Sequence, residues 1–306
     1  MRAIALFVFL SASIFAAPVS ASNMNTCQTT LSKGFAAYVD GRLRDQLSCE
    51  DKRLRGYLPW GIDCVTDPAQ SRRLARRDIR LHRNIRSQCC DGDCDGVNDV
   101  APSDIGWGSQ CPDFENRGCD NSINNFDDVY HCLSCIGKIA VDQSVDLYAD
   151  ALQPNPTAAV LKCQRANLKY AVAFQRKKAK VLSTCWTNRI AGTHSTDCHL
   201  PGDGAADRLV AVQRERMLEK ICQACGGADR RCGFPEDPTD FTPVQVGFIS
   251  TCTDVVRPNG QICARSIGGM LDMATCVQCV ADFKIDCTDI LAVPQFKSYP
   301  NVCRGV

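Results

Sequence analysis

Residues 27–49, CQTTLSKGFAAYVDGRLRDQLSC, decide the fold. Leu31, Phe35, Tyr38, Val39, Leu43 and Leu47 recur at steps of three and four, which is one face of an α-helix. Gly34 and Gly41 weaken that helix slightly, because glycine loses the most backbone freedom on folding. The 22-residue step from Cys27 to Cys49 spans roughly 33 Å at helical rise. Gly56, Pro59 and Gly61 then mark a turn. A second helix is expected after Pro68, ending at Cys89 or Cys90, with Leu74, Leu81 and Ile85 as its apolar stripe. If the two helices run antiparallel, Cys27 faces Cys89 or Cys90, and Cys49 faces Cys64 across the turn. Two bridges would then staple opposite ends of one hairpin, each worth roughly 2–4 kcal/mol through restriction of the unfolded chain.

The same frame occurs twice. Cys27, Cys49, Cys64, Cys89, Cys90, Cys94, Cys111, Cys119, Cys132 and Cys135 are answered in order by Cys163, Cys185, Cys198, Cys222, Cys225, Cys232, Cys252, Cys263, Cys276 and Cys279. Cys163 to Cys185 again steps 22 residues, and Cys119 to Cys132 and Cys263 to Cys276 both step 13. Tyr38 and Phe174 each lie 11 residues after the opening cysteine, which favours duplication over chance. Cys287 and Cys303 remain and are expected to tie down the C-terminal tail. The expected class is therefore mostly α, with two tandem disulfide-stapled helical-hairpin repeats and long irregular loops. Gln153-Pro154-Asn155-Pro156-Thr157 breaks the chain, so the repeats are placed at 22–153 and 154–306.

Further elements follow from the pattern. A helix from about Asn125 to Leu152 closes the first repeat, with Val129, Cys132, Ile136, Ile139 or Ala140, Gln143, Leu147 and Leu152 on its buried side. In the second repeat the helix of Cys163 runs to about Ile190, and a return helix over about 205–224 carries Leu209, Val212, Met217 and Ile221. Val244–Ile249 reads as a short extended segment, and 262–268 and 270–291 as closing helices.

Residues 1–21 read as an export signal: Arg2, an apolar run from Ala3 to Ala17, then Val19-Ser20-Ala21 as the small-residue cleavage pattern. Met24-Asn25-Thr26 before Cys27 lacks the pattern of a lipid-anchored protein. All 22 cysteines follow the signal, and a dense, even cysteine count in an exported chain is a disulfide framework. The expected location is secreted or periplasmic, with no membrane span after signal removal. A net charge of +1 gives no global pull toward nucleic acid or membrane. No acceptor for N-glycosylation occurs, since Asn155-Pro156-Thr157 has the forbidden proline.

Thr275-Cys276-Val277-Gln278-Cys279-Val280-Ala281-Asp282-Phe283-Lys284-Ile285-Asp286-Cys287, its echo at His131–Gln143 and the Cys163–Cys185 spacing carry a resemblance. The chain resembles a group of exported, cysteine-rich bacterial proteins built from helical repeats. That resemblance implies the repeat architecture and the compartment, and it brings no catalytic or binding residues.

Three Cys-x-x-Cys pairs, Cys132/Cys135, Cys222/Cys225 and Cys276/Cys279, invite a redox or zinc reading. They lack a βαβ setting, an oxidising compartment removes thiolates, and Ile136, Gly226 and Val280 stand where c-type haem attachment needs histidine. They are read instead as helix-face cysteines, each bridged to a different neighbour.

Two stretches of the first repeat carry more chemistry. Asp91, Asp93, Asp95 and Asp99, with Gly96 at the turn, have the alternating oxygens of a calcium loop, so calcium is the cofactor to test. Pro102 replaces the bidentate glutamate of an EF-hand, and the second repeat has lost the acids at 225–229. Arg72, Arg73, Arg76, Arg77, Arg80, Arg83 and Arg86, with His82, make one helix strongly basic. Arg73, Arg76, Arg77, Arg80 and Arg83 are the candidate anion site, for an extracellular partner or an anionic surface polymer. His194 and His199 share a turn with Asp197 and Asp203, without the helical pairing of a metal site. No nucleophile elbow, phosphate loop or zincin helix occurs, so a non-enzymatic structural or binding role is expected, the alternatives being a calcium-binding or metal-handling extracellular protein and an enzyme without a recognisable motif.

Overall fold

A computed structural model describes residues 21–306 except 91, 93, 95–98, 150–151, 153, 200–203, 234–238 and 305–306. The expected export signal, up to residue 20, lies outside the described residues. Six α-helices carry the fold: α1 (Ala21–Leu54), α2 (Pro68–Cys89), α3 (Phe126–Ala149), α4 (Ala158–Ile190), α5 (Ala205–Cys225) and α6 (Met270–Leu291). The mostly helical, disulfide-rich class is as expected.

Local chemistry sets the helix starts. The Asp67 side chain accepts from the Gln70 amide at 2.9 Å, and Pro68 occupies the first helical position, where a missing N–H costs nothing. Thr157 caps α4 by accepting from the Val160 amide at 3.3 Å.

Each hairpin is stapled at both ends. Cys27–Cys89 and Cys163–Cys225 close equal spans of 62 residues, and Cys49–Cys64 and Cys185–Cys198 close the turns. The closing helices are tied by Cys111–Cys132 and Cys119–Cys135 in the first half, and by Cys252–Cys276 and Cys263–Cys279 in the second. The halves differ at Cys90–Cys94 against Cys222–Cys232, the first just beyond α2 and the second one turn inside α5. Cys287–Cys303 holds the tail, and no cysteine is free.

The two halves share one core. α1 packs on α4, α3 packs on α6, and one continuous apolar cluster runs through all six helices. Gly137 lets α3 approach α1, since a Cβ there would meet the Phe35 ring at 2.7 Å. Ion pairs Arg165–Asp51 and Arg176–Asp40, each 2.6 Å, also cross between the halves.

Three expectations are corrected. Residues 262–268 are not helical: Asn259-Gly260 makes a hairpin turn, with Gly260 at φ +86°, and Val256↔Ile262 and Thr251↔Ser266 pair as antiparallel bridges. Val244–Ile249 is a succession of turns, because the Phe248 amide bonds back to the Pro243 carbonyl and Gly247 is left-handed. The buried row of α5 is Ala206, Val210, Met217 and Ile221, which leaves Leu209 and Val212 54 % and 56 % exposed.

Candidate functional site: a basic track and a buried ion network

The arginines of α2 divide into two sets. Arg72, Arg76, Arg80 and Arg83 follow one another by steps of four, four and three on one side of the helix, with Arg73 beside them. All five are exposed, opposite Leu74, Leu81 and Ile85, and none has an acidic partner among the described residues. Arg77 departs from the expected anion site. It folds over Gly41 of α1, where a Cβ would meet its stem at 2.8 Å, and gives Nε to Asp45 at 2.9 Å. Arg86 turns toward Asp127, 3.9 Å away.

The exposed face continues into two grooves. Between α1 and α2 lies one of about 570 Å³, whose cations are Lys33, Arg44, Arg77 and Arg80. Between α1 and α4 lies another of about 510 Å³, lined by Lys33, Arg176, Lys177 and Lys180. Lys33 is exposed and belongs to both. Asp40 is the acid they share, and it is taken by Arg44 at 2.8 Å and Arg176 at 2.6 Å.

A second constellation lies inside the other half. Asp282, 0 % exposed, accepts from Lys178, Gln278 and Arg214, and Arg257 Nη1 lies 3.3 Å away as an ion pair. Asp286, one helical turn later on α6, meets Lys178 at 2.7 Å, Arg257 at 3.2 Å and His199 Nδ1 at 3.2 Å. Asp289, a further turn on, accepts from His199 Nε2 at 2.8 Å and from the Trp186 indole at 2.5 Å. With a carboxylate at each ring nitrogen, His199 donates from both. Burial alone would lower its pKa, but its bonds to Asp286 and Asp289 outweigh that and push it up to about 9. Burial would raise the Asp286 carboxyl, yet Lys178, then His199 and Arg257, hold it well below the usual carboxylate range.

The first half holds a smaller version. Arg42 and Lys178 stand at the same place after Cys27 and Cys163, as do Asp142 and Asp286 after Cys132 and Cys276. Arg42 meets Asp142 at 3.3 Å and Asp78 at 3.9 Å, while the Tyr38 hydroxyl donates to Asp78 at 2.7 Å.

Another buried cation joins the halves. Lys284 of α6 donates to Glu115 and Gln143 at 2.5 Å, over the rings of Phe114 and Phe283. Burial brings its pKa down to about 8, with Glu115 opposing the shift.

The remaining sequence candidates are quickly placed. Asp91, Asp93 and Asp95 of the calcium loop lie outside the described residues, and Asp99 is half-buried. The members of each Cys-x-x-Cys pair go to different partners, for example Cys132 to Cys111 and Cys135 to Cys119. His194 and His199 point apart: His194 lies 3.0 Å from the Cys185 carbonyl, and His199 faces α6. His194 with Cys185 and Cys198 has metal-site proximity, but the two sulfurs are joined at 2.05 Å and offer no thiolate.

The ion network escaped sequence reading, although α6 carries its signal. Between Cys276 and Cys287 apolar residues occur on every side of the helix, so no face is left for solvent and its charges must be buried in pairs. Compared with family models, with curated proteins and with solved structures, the chain finds no match.

Proposed function

We propose that this protein is an exported, non-enzymatic binding module whose ligand is an acidic polysaccharide. The observation that carries this reading is the exposed arginine face of α2, which runs through Lys33 into the basic grooves on both sides of α1. The four aligned arginines cover about 16 Å at helical rise, so they match charges repeated along a chain better than one point charge. Eleven disulfides fit an oxidising compartment, where such polymers meet a protein. No helix of the described residues is long and apolar enough to cross a membrane. The lack of any catalytic motif supports the non-enzymatic part.

The test is chromatography of the oxidised protein on immobilised heparin at neutral pH. The parent chain is expected to be retained at low salt and released as salt screens the contacts. The variant Arg76→Glu/Arg80→Glu is expected to elute at clearly lower salt. Equal elution of the two removes the reading.

A further inference from the structure

The ion network of the second half borders a pocket of about 300 Å³ that the polysaccharide reading does not use. Lys178, His199 and Arg257 form its buried cationic wall, and Arg208 and Arg214 its more exposed one. Lys297 also lines it, but is paired with Asp197 at 2.9 Å. Leu182, Val210 and Pro258 supply an apolar side. Two acids stand in the wall: Asp286 is already shared among Lys178, His199 and Arg257, and Asp207 is engaged by contacts of its own.

Two donors remain. The Arg257 side chain is 5 % exposed, yet its Nε has no hydrogen-bond partner among the described residues. A buried donor left unpaired costs about 1–3 kcal/mol. Arg208, exposed at the rim, has no acidic partner among the described residues. The volume corresponds to roughly ten water molecules, which sets the size of an occupant.

We propose that this pocket binds a small organic oxyanion, a carboxylate or phosphate carried on a compact body that packs against the apolar side. The charged group sits between Arg257 and Arg208, where donors lack acceptors. The body lies on Leu182, Val210 and Pro258. An inorganic ion would leave that side wet, and a polymer would not enter.

Isothermal titration of the oxidised full chain tests this, with D-glucuronate, benzoate and glucose 6-phosphate as probes and inorganic phosphate as control. At least one organic anion is expected to saturate with Kd near or below about 1 mM. Arg208→Gln is expected to weaken it about tenfold. Ala211→Trp, which fills the pocket while leaving every charged side chain of the ion network in place, is expected to abolish it. Arg76→Glu/Arg80→Glu on α2 is expected to leave it unchanged, which separates this site from the polysaccharide face. No heat from any organic probe overturns the proposal, as does binding that survives Ala211→Trp. Inorganic phosphate binding as tightly as the organic anions overturns it too.

Discussion

α2 and α5 stand at the same place in the two halves, and their inner faces agree. Gln70, Leu74, Leu81 and Ile85 are buried on one, and Ala206, Val210, Met217 and Ile221 at the matching positions on the other. Their outer faces agree only in part: Arg208 and Arg216 answer Arg72 and Arg80. Arg73 and Arg76 are answered by the exposed Leu209 and Val212. The inward charge has also reversed: Asp78 faces Arg42 in the first half, whereas Arg214 stands at that position in the second. α6 compensates by placing Asp282 where α3 has the exposed Lys138. A stapled hairpin thus keeps its packing positions and is free to exchange everything else, provided that buried charges change in balanced sets.

That comparison is sharpest at its acids. Asp286→Asn leaves three buried cations short of a partner and is expected to cost roughly 3–5 kcal/mol in denaturant unfolding of the oxidised protein. Asp142→Asn, at the matching and more exposed position, is expected to cost about 1 kcal/mol. Equal losses would show that the larger network adds nothing. The long bridges give the opposite expectation. Replacing Cys27 and Cys89, or Cys163 and Cys225, by alanine releases the same loop length, so each pair is expected to cost about 4 kcal/mol, and by equal amounts.

The third contrast is pH. The His199 pKa of about 9 lies above its unfolded value of about 6.5, so its stabilisation is complete below about pH 6.5 and fades as pH rises through 9. The loss is on the order of 3 kcal/mol. His199→Gln is expected to flatten that fall, and an unchanged slope would exclude His199 as its source. Lys284 acts oppositely, with its pKa depressed to about 8, so it adds stability between about pH 8 and 10.4. The smallest effect on stability is at the surface. Leu209→Arg/Val212→Arg is expected to change unfolding by less than about 0.5 kcal/mol. It should nevertheless raise the salt needed to elute the protein from heparin, by giving α5 the face of α2.

The residues explain how much could be read in advance. Cys49–Cys64, and a bridge from Cys27 to the end of α2 at Cys89 or Cys90, followed from helix length and an antiparallel turn, because both are geometry within one hairpin. The α5 stripe was misplaced because Leu209 and Val212 are apolar without being buried, and hydrophobicity alone cannot separate a core position from an exposed one. The arginine face was legible except for Arg77, whose removal depends on a glycine and an aspartate in another helix. The pocket was not legible, because it joins Lys178, His199 and Arg257 from separate parts of the chain.

The packing of α1 on α4 and of α3 on α6 pairs each helix with its own counterpart, and the contacts of α1 with α6 and of α3 with α4 are reciprocal. Such pairing is the mark of an isologous interface, in which one surface meets itself about a two-fold axis. Within a single chain, units that pack in this way are free to diverge, as the identical subunits of a homodimer are not. An arginine face on one side and an ion-lined pocket on the other are what that freedom permits.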